Sequence, residues 1–283
     1  MYFKEFIDKF EKIYNRSEKR KMCELLGMSF NQLINPKVFF KEFQKRGKNN
    51  PDGWGIAVYK NKKVLIKKEA INALSSDFLT EKKNLENILS KIIIGHLRKK
   101  SQGEASLNNT HPFFKELNGK DYIFAHNGGI SSYKKIKLKY FFPKGDTDSE
   151  YIFCHLLDLI KEKKIKNYNF YDFRWLEQEL KKINGKGELN CIFSDGKHLF
   201  CYYDKNGYNN LYFIQEKSPY RQIKLKDIDW EIDLRKEKPF DQIGYIISTK
   251  PLTNESWEKF KKGELIIFKK GEIIYSTYKN MAV

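Results

Sequence analysis

Strand-like and helix-like stretches are grouped along this chain, and that grouping most limits the folds open to it. A helical pattern at about 37–45 is followed by a hairpin at 56–67 and by two apolar strand runs, 91–98 and 122–125. Two helical patterns, about 149–163 and 171–183, come next. A hairpin turning at Ser194-Asp195-Gly196 and late strands at 243–248, 264–268 and 272–275 complete the series. Such clusters predict an α+β fold with mainly antiparallel sheets. The 283 residues are 40% hydrophobic, enough for a substantial core, and no glycine/proline-rich or serine-rich linker follows Met22. We therefore expect one domain over 23–283, preceded by an extension over 1–22 that is either a misassigned start or a propeptide.

The domain starts with Met22-Cys23-Glu24-Leu25-Leu26-Gly27. A chain beginning at Cys23 would carry a thiol and a free α-amine on one residue. A free thiol has a pKa of about 8.5 and is mostly protonated at neutral pH, whereas an α-amine near about 8 can take its proton. Inside a chain, the same nitrogen is an amide without a basic lone pair. The other reading of Cys23 is a core cysteine, since cysteine is among the most buried residue types.

Three later segments add chemistry. Gly95-His96-Leu97-Arg98 closes the apolar run that starts at Lys91, and an arginine at such an end suggests a carboxylate partner. Ile123-Phe124-Ala125 runs into His126-Asn127-Gly128-Gly129, where a carboxamide and a flexible backbone N–H adjoin, as an oxyanion hole requires. Asp146-Thr147-Asp148-Ser149-Glu150 sets carboxylates at a helix start, with Asp146 the expected cap. Asp52-Gly53-Trp54-Gly55 reads as a turn into a strand that also has the position to line a site. His111 and His126 read as hydrogen-bonded scaffold residues.

In order, Cys23, Pro51-Asp52-Gly53-Trp54-Gly55, His96-Leu97-Arg98, Thr110-His111-Pro112, His126-Asn127-Gly128 and Asp146-Thr147-Asp148-Ser149-Glu150 resemble the class II glutamine amidotransferases, a branch of the N-terminal nucleophile hydrolases. Ser248-Thr249-Lys250-Pro251-Leu252-Thr253, with Glu255, Trp257, Gly263 and Glu264, is similar to the C-terminal pattern of that family's stand-alone members. The resemblance implies a four-layer α/β/β/α sandwich with two stacked sheets. It implies Cys23 as nucleophile toward a glutamine or γ-glutamyl amide, with its α-amine as base, and Asn127 and Gly128 as oxyanion donors. Arg98 would hold the substrate α-carboxylate and Asp148 its α-ammonium, with Ser101 and His111 also toward the substrate. No cofactor and no metal are implied. Lys99, Lys100, Ser101 and Gln102 depart from the aromatic or small residue, threonine and histidine that the amino-sugar and purine synthases place after the arginine. The acceptor, or a synthetase partner protein, is therefore not specified.

The net charge of +18 comes mostly from lysines spread along the chain, which argues against a dedicated nucleic-acid surface. Cys154, Cys191 and Cys201 sit among apolar neighbours and read as core, with neither disulfide nor zinc spacing. Phe3, Phe6, Ile7, Phe10, Ile13 and Tyr14 recur at helical spacing ahead of a basic run, without the apolar core of a secretory signal. No stretch is long enough to cross a membrane, so a cytoplasmic enzyme is expected. The alternative is a non-catalytic domain of the same fold, with Cys23 blocked by residues 1–22, that binds a partner protein.

Overall fold

A computed structural model describes residues 22–101, 103–237 and 239–278. The helical pattern of residues 3–14 lies outside them.

The centre of the first sheet is β1 (Glu24–Ile34), paired antiparallel with β4 (Ser90–Leu97) on one side and β12 (Gly244–Ser248) on the other. β2 (Trp54–Lys60) and β3 (Lys63–Glu69) extend it beyond β4. β9 (Tyr212–Glu216) and the two-residue β13 (Glu258–Lys259) extend it beyond β12. The second sheet runs β15 (Glu272–Ser276), β14 (Leu265–Lys269), β8 (Leu199–Tyr202), β7 (Asn190–Ser194), β6 (Lys120–Asn127) and β5 (Phe113–Leu117), again antiparallel. A small hairpin, Gln222–Lys224 with Glu231–Asp233, stands apart.

Three apolar clusters make the layers. Leu25, Ala57, Ile94, Ile123, Ala125, Ile192 and Phe268 pack between the two sheets. Alternate residues of the first sheet, among them Leu26, Met28, Trp54 and Ile93, pack outward against α1 (Lys37–Lys45) and neighbouring loops. Phe124, Cys191, Phe193 and Phe200 face out of the second sheet onto α4 (Asp148–Glu162) and α5 (Phe170–Asn184); the short turns Asp77–Thr80 and Lys82–Glu86 are α2 and α3. The expected α/β/β/α sandwich is the fold found. Cys154, Cys191 and Cys201 are buried, as expected of core residues.

β1 is absent from the predicted pattern because polar residues interrupt it. Those residues are paired in the fold. Glu24, 1% exposed, meets Arg46, Lys250 and the Thr249 hydroxyl, and Asn31 hydrogen-bonds Ile243 N and Asp241 O. The cap of α4 is Thr147, not the expected Asp146: the Thr147 hydroxyl accepts from Glu150 N at 3.3 Å, three residues on, as cap geometry requires. Glu150 instead turns back to accept from Lys144 N and Gly145 N.

Gly55 lets β2 approach the loop before β5. A Cβ there would stand 2.2 Å from the His111 carbonyl oxygen, backbone that cannot swing aside. Gly55→Ala is expected to cost at least about 2 kcal/mol of unfolding free energy; urea denaturation followed by circular dichroism measures it.

Candidate active site

β1 and β4 pair with Glu24 opposite Leu97, which sets Cys23 beside Arg98 at one end of the first sheet. Strand alternation then sorts the side chains. Glu24 and Leu97 face the outer layer, while Leu25 and His96 face the second sheet. The Cys23 sulfur accepts from Lys99 N at 3.1 Å and donates to Lys99 O at 3.2 Å. Thr249 pins the strand just behind, its N–H on Leu25 O and its hydroxyl accepting from Leu25 N. This is the role of the Ser248-Thr249-Lys250 segment: Arg46 donates to Ser248 Oγ, Lys250 O and Pro251 O, and to Glu24.

Burial pushes the Cys23 thiol up to about 11, against the lowering effects of the Lys99 N–H and the Arg98 charge. With Met22 bonded to it, Cys23 has no amine of its own to correct this.

The second sheet answers from β6. His126 and Asn127 are consecutive and point to opposite faces. His126 goes outward, where Nδ1 meets Ser149 Oγ at 2.9 Å and Nε2 meets Glu188 O at 3.0 Å, so it braces the start of α4. Asn127 goes inward: Nδ2 donates to the Cys23 carbonyl at 2.6 Å and Oδ1 lies 3.1 Å from His96 Nε2. Gly128 follows at φ +143°, where a Cβ would lie 2.1 Å from Glu188 O, so only glycine fits.

Arg98 is 3% exposed and donates to the carbonyls of Glu104 and Gly103, which curl the following loop around its guanidinium. Burial pulls Arg98 below its usual range, offset in part by Cys23, Asp52 and Asp146. Asp52 accepts from Lys100 N, and Arg98 N and O bond Gly53 and Asp52, so the Asp52-Gly53 turn does flank this loop. Asp148, the first residue of α4, is buried and accepts from Ile130 N at 2.7 Å.

Cys23, Arg98, Asn127 and Gly128 thus gather at one end of the sandwich. Ser101 is exposed on the loop after β4. His111 stands behind the cluster, its ring packed at a tilt between His96 (4.2 Å) and Phe113 (4.4 Å). Neither His111 nitrogen has a partner, so the expected hydrogen-bonded scaffold role is half right: it supports by packing alone. Among the described residues, no group of three His, Cys, Asp or Glu could hold a metal, and no helix is long and apolar enough to cross a membrane.

Two residues of this cluster were given no role from the sequence. His96 stands two before Arg98, so period-2 alternation puts both on one face. Asn209 donates Nδ2 to the Cys23 carbonyl at 2.8 Å from the β8–β9 loop. Asn209 and Asn210 both have positive φ, and Asp204 and Asn190 hold their loop. The Asn-Gly-Tyr-Asn-Asn run was a legible turn signal, but its destination was not.

The model of the family "Glutamine amidotransferases class-II" matches residues 22–282. The chain belongs to this family. It is 44% identical over 255 residues to the Methanocaldococcus jannaschii protein MJ1515, covering 90% of this chain and 71% of that one. Escherichia coli YafJ, named as a candidate glutamine amidotransferase, is 33% identical over 257 residues, covering 89% of this chain and 99% of YafJ. A crystal structure from Pseudomonas aeruginosa, described as a "predicted glutamine amidotransferase", superposes with a TM-score of 0.66 at 29% identity, covering 89% of this chain and all of that one. Glutamine phosphoribosylpyrophosphate amidotransferase from B. subtilis shares the fold at 16% identity, with a TM-score of 0.59 over 48% of its length.

The pH dependence of the thiol follows from its burial. While Met22 remains attached, alkylation of Cys23 by iodoacetamide should rise about tenfold per pH unit through neutrality toward about pH 11, because only thiolate reacts. Mass-spectrometric labelling rates between about pH 6 and 10 test this; a plateau below about pH 8 would contradict it.

Proposed function

We propose that this chain hydrolyses, or transfers from, the γ-glutamyl amide of glutamine or a related compound through a thioester on Cys23. The observation that carries the reading is the meeting of Asn127 with Cys23. A carboxamide from one sheet bonds the backbone of the cysteine at the head of the other, beside an almost fully buried arginine.

With Met22 attached the thiol is pushed up to about 11 and no base adjoins it; the α-amine of a chain beginning at Cys23 supplies one. That amine takes the thiol proton as sulfur bonds to the amide carbon. The carbonyl oxygen becomes an oxyanion, accepting from the second Asn127 Nδ2–H and from Gly128 N–H. Collapse breaks the carbon–nitrogen bond, the ammonium returns its proton to the departing amine, and water, deprotonated by the same amine, then cleaves the thioester. Arg98 grips the α-carboxylate and Asp148 the α-ammonium; Ser101, on the loop after β4, takes the place of the family's threonine. Ammonia released to water gives a hydrolase, and ammonia passed to a synthetase partner gives an amidotransferase.

Cys23→Ala should lower glutamate release from glutamine or glutathione at least about 1000-fold while leaving the fold intact. A chain starting at Cys23 should be active and one carrying a cleavage-resistant 1–22 inert; N-terminal sequencing that finds Met1 on fully active protein defeats the α-amine mechanism. Inertness of every form starting at Cys23 would favour the partner-binding alternative.

Arg98→Lys keeps the charge but loses the planar fork, so kcat/KM should fall about 10- to 100-fold, and Asp148→Asn should do likewise. Initial rates with glutamine and N-acetylglutamine check both. Equal cleavage of the two substrates would remove Asp148 from ammonium recognition.

A further inference from the structure

We propose that His96 is a positioning residue for this reaction: a neutral imidazole whose Nε2–H holds the Asn127 carboxamide with its nitrogen turned toward Cys23 and the substrate. The inference rests on the preceding reading of the site.

The argument starts at the Cys23 carbonyl oxygen, which can only accept. Asn127 lies 2.6 Å from it, so the carboxamide must present nitrogen there; oxygen would set two acceptors against each other. Oδ1 is thereby turned to His96, 3.1 Å away, and that contact is a hydrogen bond only if Nε2 carries the proton. The remaining nitrogen, Nδ1, is buried and makes no hydrogen bond of good geometry. A second proton there would gain at most the ring's contact with the His126 backbone, which together with Asn127 only partly offsets the cost of burying a charge. Burial acts the same way, pushing His96 down to about 3, with the Arg98 charge also lowering it. The tautomer is thus set by an acceptor on the nucleophile residue, through Asn127.

The ring is held to this task from behind. His111 packs against it at 4.2 Å, tilted by 31°, and Phe113 backs His111 at 4.4 Å. Without the imidazole donor, Asn127 Oδ1 would be a buried acceptor with no partner, free to turn about its last torsion. A donor aimed at a developing charge is most effective when it need not reorient.

Two measurements test this. Uniform 15N labelling of histidine and a long-range 1H–15N spectrum resolve the five imidazoles, with His96 assigned by its loss in His96→Gln. The expected spectrum has a protonated Nε2 and a bare Nδ1 from about pH 5 to 9. An imidazolium or the Nδ1–H tautomer overturns the proposal.

In kinetics, His96→Phe keeps a ring without a donor, so kcat should fall about 10- to 100-fold while the KM for glutamine stays within about twofold. His96→Gln places an amide N–H where Nε2 was and should recover most of kcat. An unchanged kcat in the phenylalanine variant, or equal losses in both, overturns the positioning role. If His96→Phe does not fold, the spectrum and the glutamine variant decide. Wild-type protein that begins at Cys23 and releases no glutamate would defeat the reading of the site, while the spectrum would still decide the state of His96.

Discussion

Everything at this site hangs on one backbone carbonyl, that of Cys23. Two carboxamides, from β6 and from the β8–β9 loop, donate to it, and Leu25, two residues on, is pinned by Thr249. These contacts tie the head of a central strand to the opposite sheet. Neutral hydrogen bonds contribute only about 1 kcal/mol each. Their effect here is to fix position, since a reacting group displaced by about 1 Å loses much of the benefit of being held.

The chemistry is built from the two alternations of the sheets. Along β4, inner-face positions give His96 and then Arg98. Along β6, one step separates an outward His126 that anchors α4 from an inward Asn127 that meets Cys23. The glycine that follows β6 lies against the Glu188 carbonyl, in space that no side chain could share. Adjacent letters in the sequence therefore serve different layers of the molecule.

Much of this was legible in the chain. The apolar runs of β4 and β6 announced buried strands, and the residues at their ends announced chemistry. β1 was not legible, because its Glu24 and Asn31 are acceptable in a strand only through distant partners, most of them more than 200 residues away, such as Lys250 and Ile243. Asn209 was hidden for the same reason: a turn signal gives the local conformation of a loop and nothing of what the loop reaches. His111 could be read as scaffold, but its lack of hydrogen bonds depends on the rings packed around it.

The open borders of the two sheets bear on how copies of this chain meet. β3 presents Lys63, Lys67 and Lys68 along the first sheet's rim, and β13, at the other rim, is two residues long. β5, bordering the second sheet, carries Lys115, whose ammonium ties it to Glu150 and the Phe142 carbonyl. A border that is short or lined with ammonium groups makes a poor template for a further strand. Lysines at the borders thus have a use, discouraging the sandwich from growing by strand addition into larger aggregates.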